Sequence, residues 1–106
     1  MVRLDPTLGS EIQKTRRAIV IGARQFEYLS VRLMVPLTSW DDKHRRWSWR
    51  PRIQPDRLNG LQVDSAALPE QMRSLSLERF VERSGRLSAE DFDEIRAAVA
   101  LALDLD

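Results

Sequence analysis

The apolar positions change period along the chain, and each change marks an element. Arg17-Ala-Ile-Val-Ile21 is a short β-branched run that predicts a buried strand ending at Gly22. Val31-Arg-Leu-Met-Val-Pro-Leu-Thr38 predicts a second strand. Pro36 has no N–H to give to a ladder, which places part of that strand at an edge or bulge. Residues 4–10, punctuated by Pro6 and Gly9, read as an irregular loop, as do residues 26–30. Trp47 to Ile53 alternates in period 2, an edge strand by its Pro51, with Trp47 and Trp49 on one face and at least one of them in the core. Asn59-Gly60 marks a turn. Leu61 to Leu68 and Gln71 to Leu75 predict further extended pieces, Ser76 to Phe80 a single helical turn, and Val81 to Leu87 an extended return.

The last segment switches to helical spacing. Ser88 is an N-cap residue, and Glu90 and Asp91 complement the macrodipole in the first turn. Phe92, Ile95, Val99, Ala102 and Leu103 fall on one face, so the pattern predicts a helix over Ala89 to Leu103 whose Phe92/Ile95/Val99 stripe serves core or dimer packing. Short strands followed by one amphipathic helix describe a mainly β fold, a small twisted sheet or open barrel with a C-terminal α-helix packed on it.

Composition narrows the chemistry. A chain of 106 residues, 42% hydrophobic and 31% charged, is one domain spanning 1–106. It has no cysteine and one histidine, His44, which excludes disulfides, thiolate nucleophiles and Cys- or His-rich metal sites. No apolar run approaches bilayer length and no signal-peptide pattern opens the chain, so a cytoplasmic protein without a membrane role is expected. The net charge of +1 divides unevenly: residues 1–57 carry 12 Lys and Arg against 6 acids, and residues 58–106 carry 5 against 10. A basic front half suits a polyanion, although split charge also joins two halves of one fold.

Residues 43–52 interleave bases with two indoles. Cations follow a phosphate backbone and exposed aromatics stack on unpaired bases, so Arg45, Arg46 and Arg50 are candidate contacts to single-stranded nucleic acid. The plainer reading has one Trp in the core, solvated arginines, and His44 as an ordinary loop residue. Nearer the start, Arg16 and Glu11 read in isolation as a surface ion pair, Thr38 as a strand end, and Glu11 as a cap on a loop donor.

Local sequence adds a resemblance. Leu4-Asp5-Pro6-Thr7-Leu8-Gly9-Ser10-Glu11-Ile12-Gln13-Lys14-Thr15-Arg16 resembles the signature loop of the MazF/PemK toxins of type II toxin–antitoxin pairs. Ala18 to Ile21 sits where that family has its next strand, and Val35-Pro36-Leu37-Thr38-Ser39 looks like its strand ending in a Thr-Ser pair. Asn59-Gly60-Leu61, Asp64 to Ala67 and Gln71 to Ser74 match the later half, in order, over essentially the whole chain.

The resemblance implies an SH3-like small barrel that forms a homodimer and a metal-independent endoribonuclease without cofactor. Such an enzyme cuts single-stranded RNA (mRNA) at short sequences by 2′-hydroxyl attack, leaving 2′,3′-cyclic phosphate and 5′-hydroxyl ends. It implies cleavage by Arg16 and Thr38, with Glu11 in an acid–base role, and RNA contacts from Ser10, Gln13, Lys14, Ser39, Arg45, Arg46, Arg50 and Arg73. It also implies a cognate antitoxin with an acidic disordered tail, and DNA binding together with that antitoxin. Three departures stand out. Only Met1 to Leu4 remain of the family's first strand, Arg17 replaces a proline, and Gly22 to Phe26 replaces an Asn-containing block. Two alternatives follow: a truncated, inactive homologue that only binds RNA or antitoxin, or a CcdB-like gyrase poison. The latter wants a Trp-Gly-Ile ending, which Ala102-Leu103-Asp104-Leu105-Asp106 does not offer.

Overall fold

One nine-residue strand organises the molecule, a computed structural model that describes residues 2–4, 14–22 and 29–104. The elements are β1 (Val2–Leu4), β2 (Lys14–Arg16), β3 (Ala18–Ile21), β4 (Val31–Ser39), β5 (Arg52–Ile53), β6 (Ser65–Ala67), β7 (Arg73–Ser76) and α1 (Ala89–Ala102). Single 3-10 turns cover Asp42–Arg46, Pro69–Gln71 and Leu77–Arg79. β1 and β2 form an antiparallel pair, and β3, β4, β6 and β5 run in that order in a second sheet, with β7 also on β4.

Pro36 is not at an edge. β4 has β3 along one side, with Ala18 opposite Pro36 and Ile19 opposite Val35. On its other side β7 pairs with Val31 to Met34 and β6 with Leu37 to Ser39. Pro36 falls where one partner hands over to the other. Its carbonyl accepts from the Leu68 N–H at 3.0 Å, so its missing donor faces the same junction, where no ladder bond is required. A proline thus sits inside a central strand without leaving a bond unmade.

The centre of β4 is covered on both faces. Ile19, Val35, Leu37, Ile53, Ala67 and Ile95 form one core, while Met34 and Leu75 form a second with Ala18 and Phe80 against them. Helix α1 is capped by Ser88, whose hydroxyl accepts from the Asp91 N–H at 3.1 Å, and it seats Ile95 and Ala98 in the core. Ala102 and Leu103, predicted on the inward face, are exposed, because the contact ends a turn earlier.

Two predicted strands are not strands. Trp47 to Arg50 continues from a 3-10 turn, through bonds from Trp47 N to His44 O and from Arg50 N to Trp47 O, leaving only Arg52–Ile53 extended. The indoles of Trp47 and Trp49 are both half-buried and lean on each other at 6.1 Å between centroids, so neither is a core residue. Likewise only Ser65–Ala67 of the segment 61–68 joins the sheet. Val81 to Leu87 is an irregular strap with no ladder.

Backbone contact at two glycines holds the strap. Gly60 lies at φ +68°, and a Cβ there would stand 2.2 Å from the Ser84 carbonyl oxygen; one at Gly85 would stand 2.1 Å from that of Leu58. This close approach lets the Arg86 N–H reach the Leu58 carbonyl at 2.9 Å. Asn59 completes the turn from within, donating to the Gln54 carbonyl and accepting from the Leu61 N–H. Gly60→Ala is therefore expected to cost about 3 kcal/mol, from left-handed backbone strain plus the overlap. Urea unfolding checks it, and a loss below about 1 kcal/mol would mean that the strap is free to move aside.

Candidate functional site

Strand register brings the two residues singled out for chemistry together. The Leu37 N–H donates to the Arg17 carbonyl at 3.0 Å, which continues the β3–β4 pairing one residue beyond Ala18 and Pro36. Carrying the register one step further sets Arg16, at the end of β2, opposite Thr38. β2 and β4 lie against each other here, which brings the Arg16 end of β2 to the Thr38 end of β4. Both residues are half-buried.

Beyond Thr38 the chain folds back over the strand end. The Trp40 N–H is held by the Asp64 carbonyl at 2.9 Å. Asp41 then caps a 3-10 turn, its carboxylate accepting from the Lys43 N–H at 3.1 Å and its carbonyl from the His44 N–H at 2.9 Å. The turn carries His44 back beside the strand, where it is 3% exposed and packs on Trp40 with ring centroids 5.6 Å apart. A cavity of about 320 Å³ results, lined by Thr38, Ser39, Trp40, Lys43, His44 and Arg50.

Acids from later in the chain anchor the cations around this cavity. Arg50 donates through Nε to Glu70 at 2.7 Å and pairs with the same carboxylate through Nη2. Its Nη1 reaches His44 Nδ1 at 3.1 Å, and its guanidinium lies 4.4 Å from the centre of the Trp47 ring. Arg52 pairs with Asp64 and lies 5.1 Å from the Trp40 ring centre. Arg50 thus stands at the cavity as a partly neutralised, immobilised donor. Arg45 is exposed and 3.4 Å from Asp42, Arg46 is exposed on the same turn, and Arg73 is exposed opposite Met34, further down β4. Ser39 lines the cavity and Lys14 lies in β2. Ser10, Glu11 and Gln13 lie outside the described residues. His44 is no loop bystander, and a signal for it was present: Asp41-Asp42 directly after a strand is an N-cap that starts a turn.

A larger cavity of about 660 Å³ opens elsewhere, between β3, the strap and α1, lined by Arg17, Ile19, Leu37, Leu61, Phe80 and Phe92. Alternation along β4 separates the two: Leu37 lines this one and Thr38 the other. Arg17, where the MazF/PemK pattern has proline, shares the apolar face of Ile19 and Leu37, and its Nη1 is buried without a partner. Arg17→Met should therefore raise unfolding stability by about 1 kcal/mol, by removing a donor that has lost its water. A lower urea midpoint in the variant would show that the guanidinium supports the fold.

The whole chain has known relatives. Residues 1–103 match the family described as PemK-like, MazF-like toxin of type II toxin-antitoxin system. Endoribonuclease MazF9 of Mycobacterium tuberculosis is 34% identical over 110 residues, covering 98% of this chain and 91% of that protein. Among solved structures, an endoribonuclease in complex with its cognate antitoxin from a mycobacterial species aligns at a TM-score of 0.75 and 17% identity, over 99% of this chain and 91% of that one. A MazE-MazF structure from Deinococcus radiodurans aligns at 0.74 and 19%, over 99% and 90%. The structural matches establish the fold: a mainly β half-barrel sheet with a C-terminal helix, as in MazF toxins. With the sequence match over nearly its full length, the chain belongs to the PemK/MazF toxin family. Among the described residues no helix is long and apolar enough to cross a membrane.

Proposed function

We propose that this chain is a metal-independent endoribonuclease toxin that cuts single-stranded RNA at short sequences and is neutralised by a cognate antitoxin. What supports the reading is the β3–β4 register, which, carried on from Arg17 opposite Leu37, would set Arg16 toward Thr38 at a cavity lined also by Ser39, Lys43 and Arg50. RNA supplies its own nucleophile. The 2′-oxygen attacks the adjacent phosphorus as the bond to the 5′-oxygen breaks, leaving a 2′,3′-cyclic phosphate and a 5′-hydroxyl. Arg16 offers a fixed fork of donors to the phosphate oxygens as charge builds, and Thr38 donates its hydroxyl to the same group. Glu11 takes the proton from the 2′-hydroxyl, and the departing 5′-oxygen is protonated in turn.

Ser10, Gln13, Lys14, Ser39, Arg45, Arg46, Arg50 and Arg73 belong to the RNA surface in this reading. The exposed cations Arg45, Arg46 and Arg73 follow the backbone, and Arg50 serves from its fixed place at the cavity. An antitoxin's acidic tail competes for that surface. The relative Endoribonuclease MazF9, and a solved neighbour in complex with its cognate antitoxin, support both halves of the proposal. The working unit is a homodimer, acting in the cytoplasm.

Incubating the protein with long single-stranded RNA in EDTA tests the activity, and fragments with 5′-hydroxyl ends are the expected product. Arg16→Ala should lower cleavage by two decades or more, about 3 kcal/mol of transition-state stabilisation, with RNA binding kept. Cleavage within about threefold of wild type removes Arg16 from the chemistry. Thr38→Val keeps the shape and branching while removing the hydroxyl, and a rate loss of roughly 10- to 1000-fold is expected in a protein that melts normally. A large drop in melting temperature with unchanged activity per folded molecule would make Thr38 structural.

A further inference from the structure

His44 carries a role that neither the fold nor the Arg16–Thr38 pair requires. A guanidinium has donors only, so the 3.1 Å contact between Arg50 Nη1 and His44 Nδ1 obliges Nδ1 to accept. The ring proton is then on Nε2. Glu70 holds Arg50 from behind, and Trp40 packs on the ring, so the orientation of the imidazole is fixed as well as its tautomer. Among the described residues the His44 side chain makes no second hydrogen bond. His44 lines the same cavity as Thr38 and Ser39, and with Nδ1 taken up by Arg50 its remaining donor is Nε2.

The cavity's chemistry selects the acceptor. Two hydroxyls and the Gln71 amide can donate or accept there; Lys43, Arg50 and the imidazole N–H donate, and against these two cations stands one lining carboxylate, Asp41, with an oxygen already accepting from the Lys43 backbone N–H. Non-bridging phosphate oxygens only accept, and they carry the opposite charge. We infer that His44, held by the Glu70–Arg50 relay, is a substrate-binding residue that donates through Nε2 to an RNA phosphate neighbouring the one cleaved between Arg16 and Thr38. The inference rests on the RNA-cleaving reading above and adds a second phosphate subsite to it. A contact to a phosphate that does not react is made equally in the ground and transition states. Its loss therefore raises KM and leaves kcat alone.

Two substitutions separate this role from a structural one. The side-chain oxygen in His44→Asn replaces Nδ1 as acceptor for Arg50 and supplies nothing at Nε2. The amide in His44→Gln replaces the Nε2 donor and abandons Arg50. Affinity is read by anisotropy with a short labelled 2′-O-methyl RNA of mixed sequence, which cannot be cut. The Asn variant should bind about tenfold more weakly than wild type and the Gln variant within about threefold of it. Scanning neutral methylphosphonate linkages through the strand should find one that weakens wild type and leaves the Asn variant unchanged.

On cleavable RNA the Asn variant should show a raised KM with kcat within about twofold. Equal losses in both variants, or a larger loss in Gln, overturn the inference and leave His44 as a brace for Arg50. Absence of any coupled linkage, or of any RNA binding by wild type, overturns it too. The stated binding order in a wild-type protein that cuts nothing would instead keep the phosphate subsite and dismiss the nuclease.

Discussion

The handover of partners at Pro36 is the constraint from which the rest of the structure follows. A central strand can hold a proline only where its missing donor meets no ladder, and β4 meets that condition by pairing with β7 below Pro36 and with β6 above it. The Pro69–Gln71 turn occupies the junction. Alternation along β4 divides the cores, with Met34 packed on Leu75 on one face and Val35 and Leu37 on the other. Above the junction β4 ends on Thr38 and Ser39, which pair with β6 and line the cavity, so the same handover that admits the proline places the candidate site.

What the sequence made legible is what local chemistry decides. Ser88, two acids and an apolar stripe define α1 within one residue at its C-terminal end, because cap, dipole and face all agree in one short stretch. The Asn59-Gly60 turn is of the same kind. Arg16 and Thr38 are candidates through resemblance and not through pattern, since nothing in either residue's neighbourhood distinguishes a clamp from an ion pair. The strand predicted over Trp47 to Ile53 failed because Asp41 starts a turn upstream and winds the chain through that segment, against its alternation. Pro36 could not be placed from sequence at all, since its setting depends on partners about thirty residues away on β6 and β7. His44 was missed for a related reason: its burial comes from Trp40, Arg50 and the fold-back, which only tertiary structure assembles.

The uneven charge of the chain is partly spent inside the molecule. Arg50 with Glu70 and Arg52 with Asp64 each join a base from the basic front half to an acid from the acidic back half. Both arginines also lie over indoles, so each is fixed by an aromatic face as well as by a carboxylate. Such pairs add little by Coulomb attraction near water. Their effect here is geometric: they stop two long side chains from wandering and set the direction of the groups they touch. Arg45, Arg46 and Arg73 are among the cations that stay exposed, Arg45 beside Asp42.

The burial of mid-β4 on both faces also sets how the molecule opens. Amide hydrogens of Met34, Val35 and Leu37 lie under two cores and between strands on both sides, so their exchange with solvent deuterium requires unfolding of the whole domain. β5, two residues long, and the strap, with no ladder of its own, exchange through smaller openings that leave β4 intact. Thr38 stands near the end of β4, paired with β6, and across from it the Asp42–Arg46 turn anchors His44 while leaving Lys43, Arg45 and Arg46 exposed. A polyanion lying along this surface, as the proposed function requires, would meet long exposed side chains that can re-aim on one side while Thr38 on the other stays in register with the sheet.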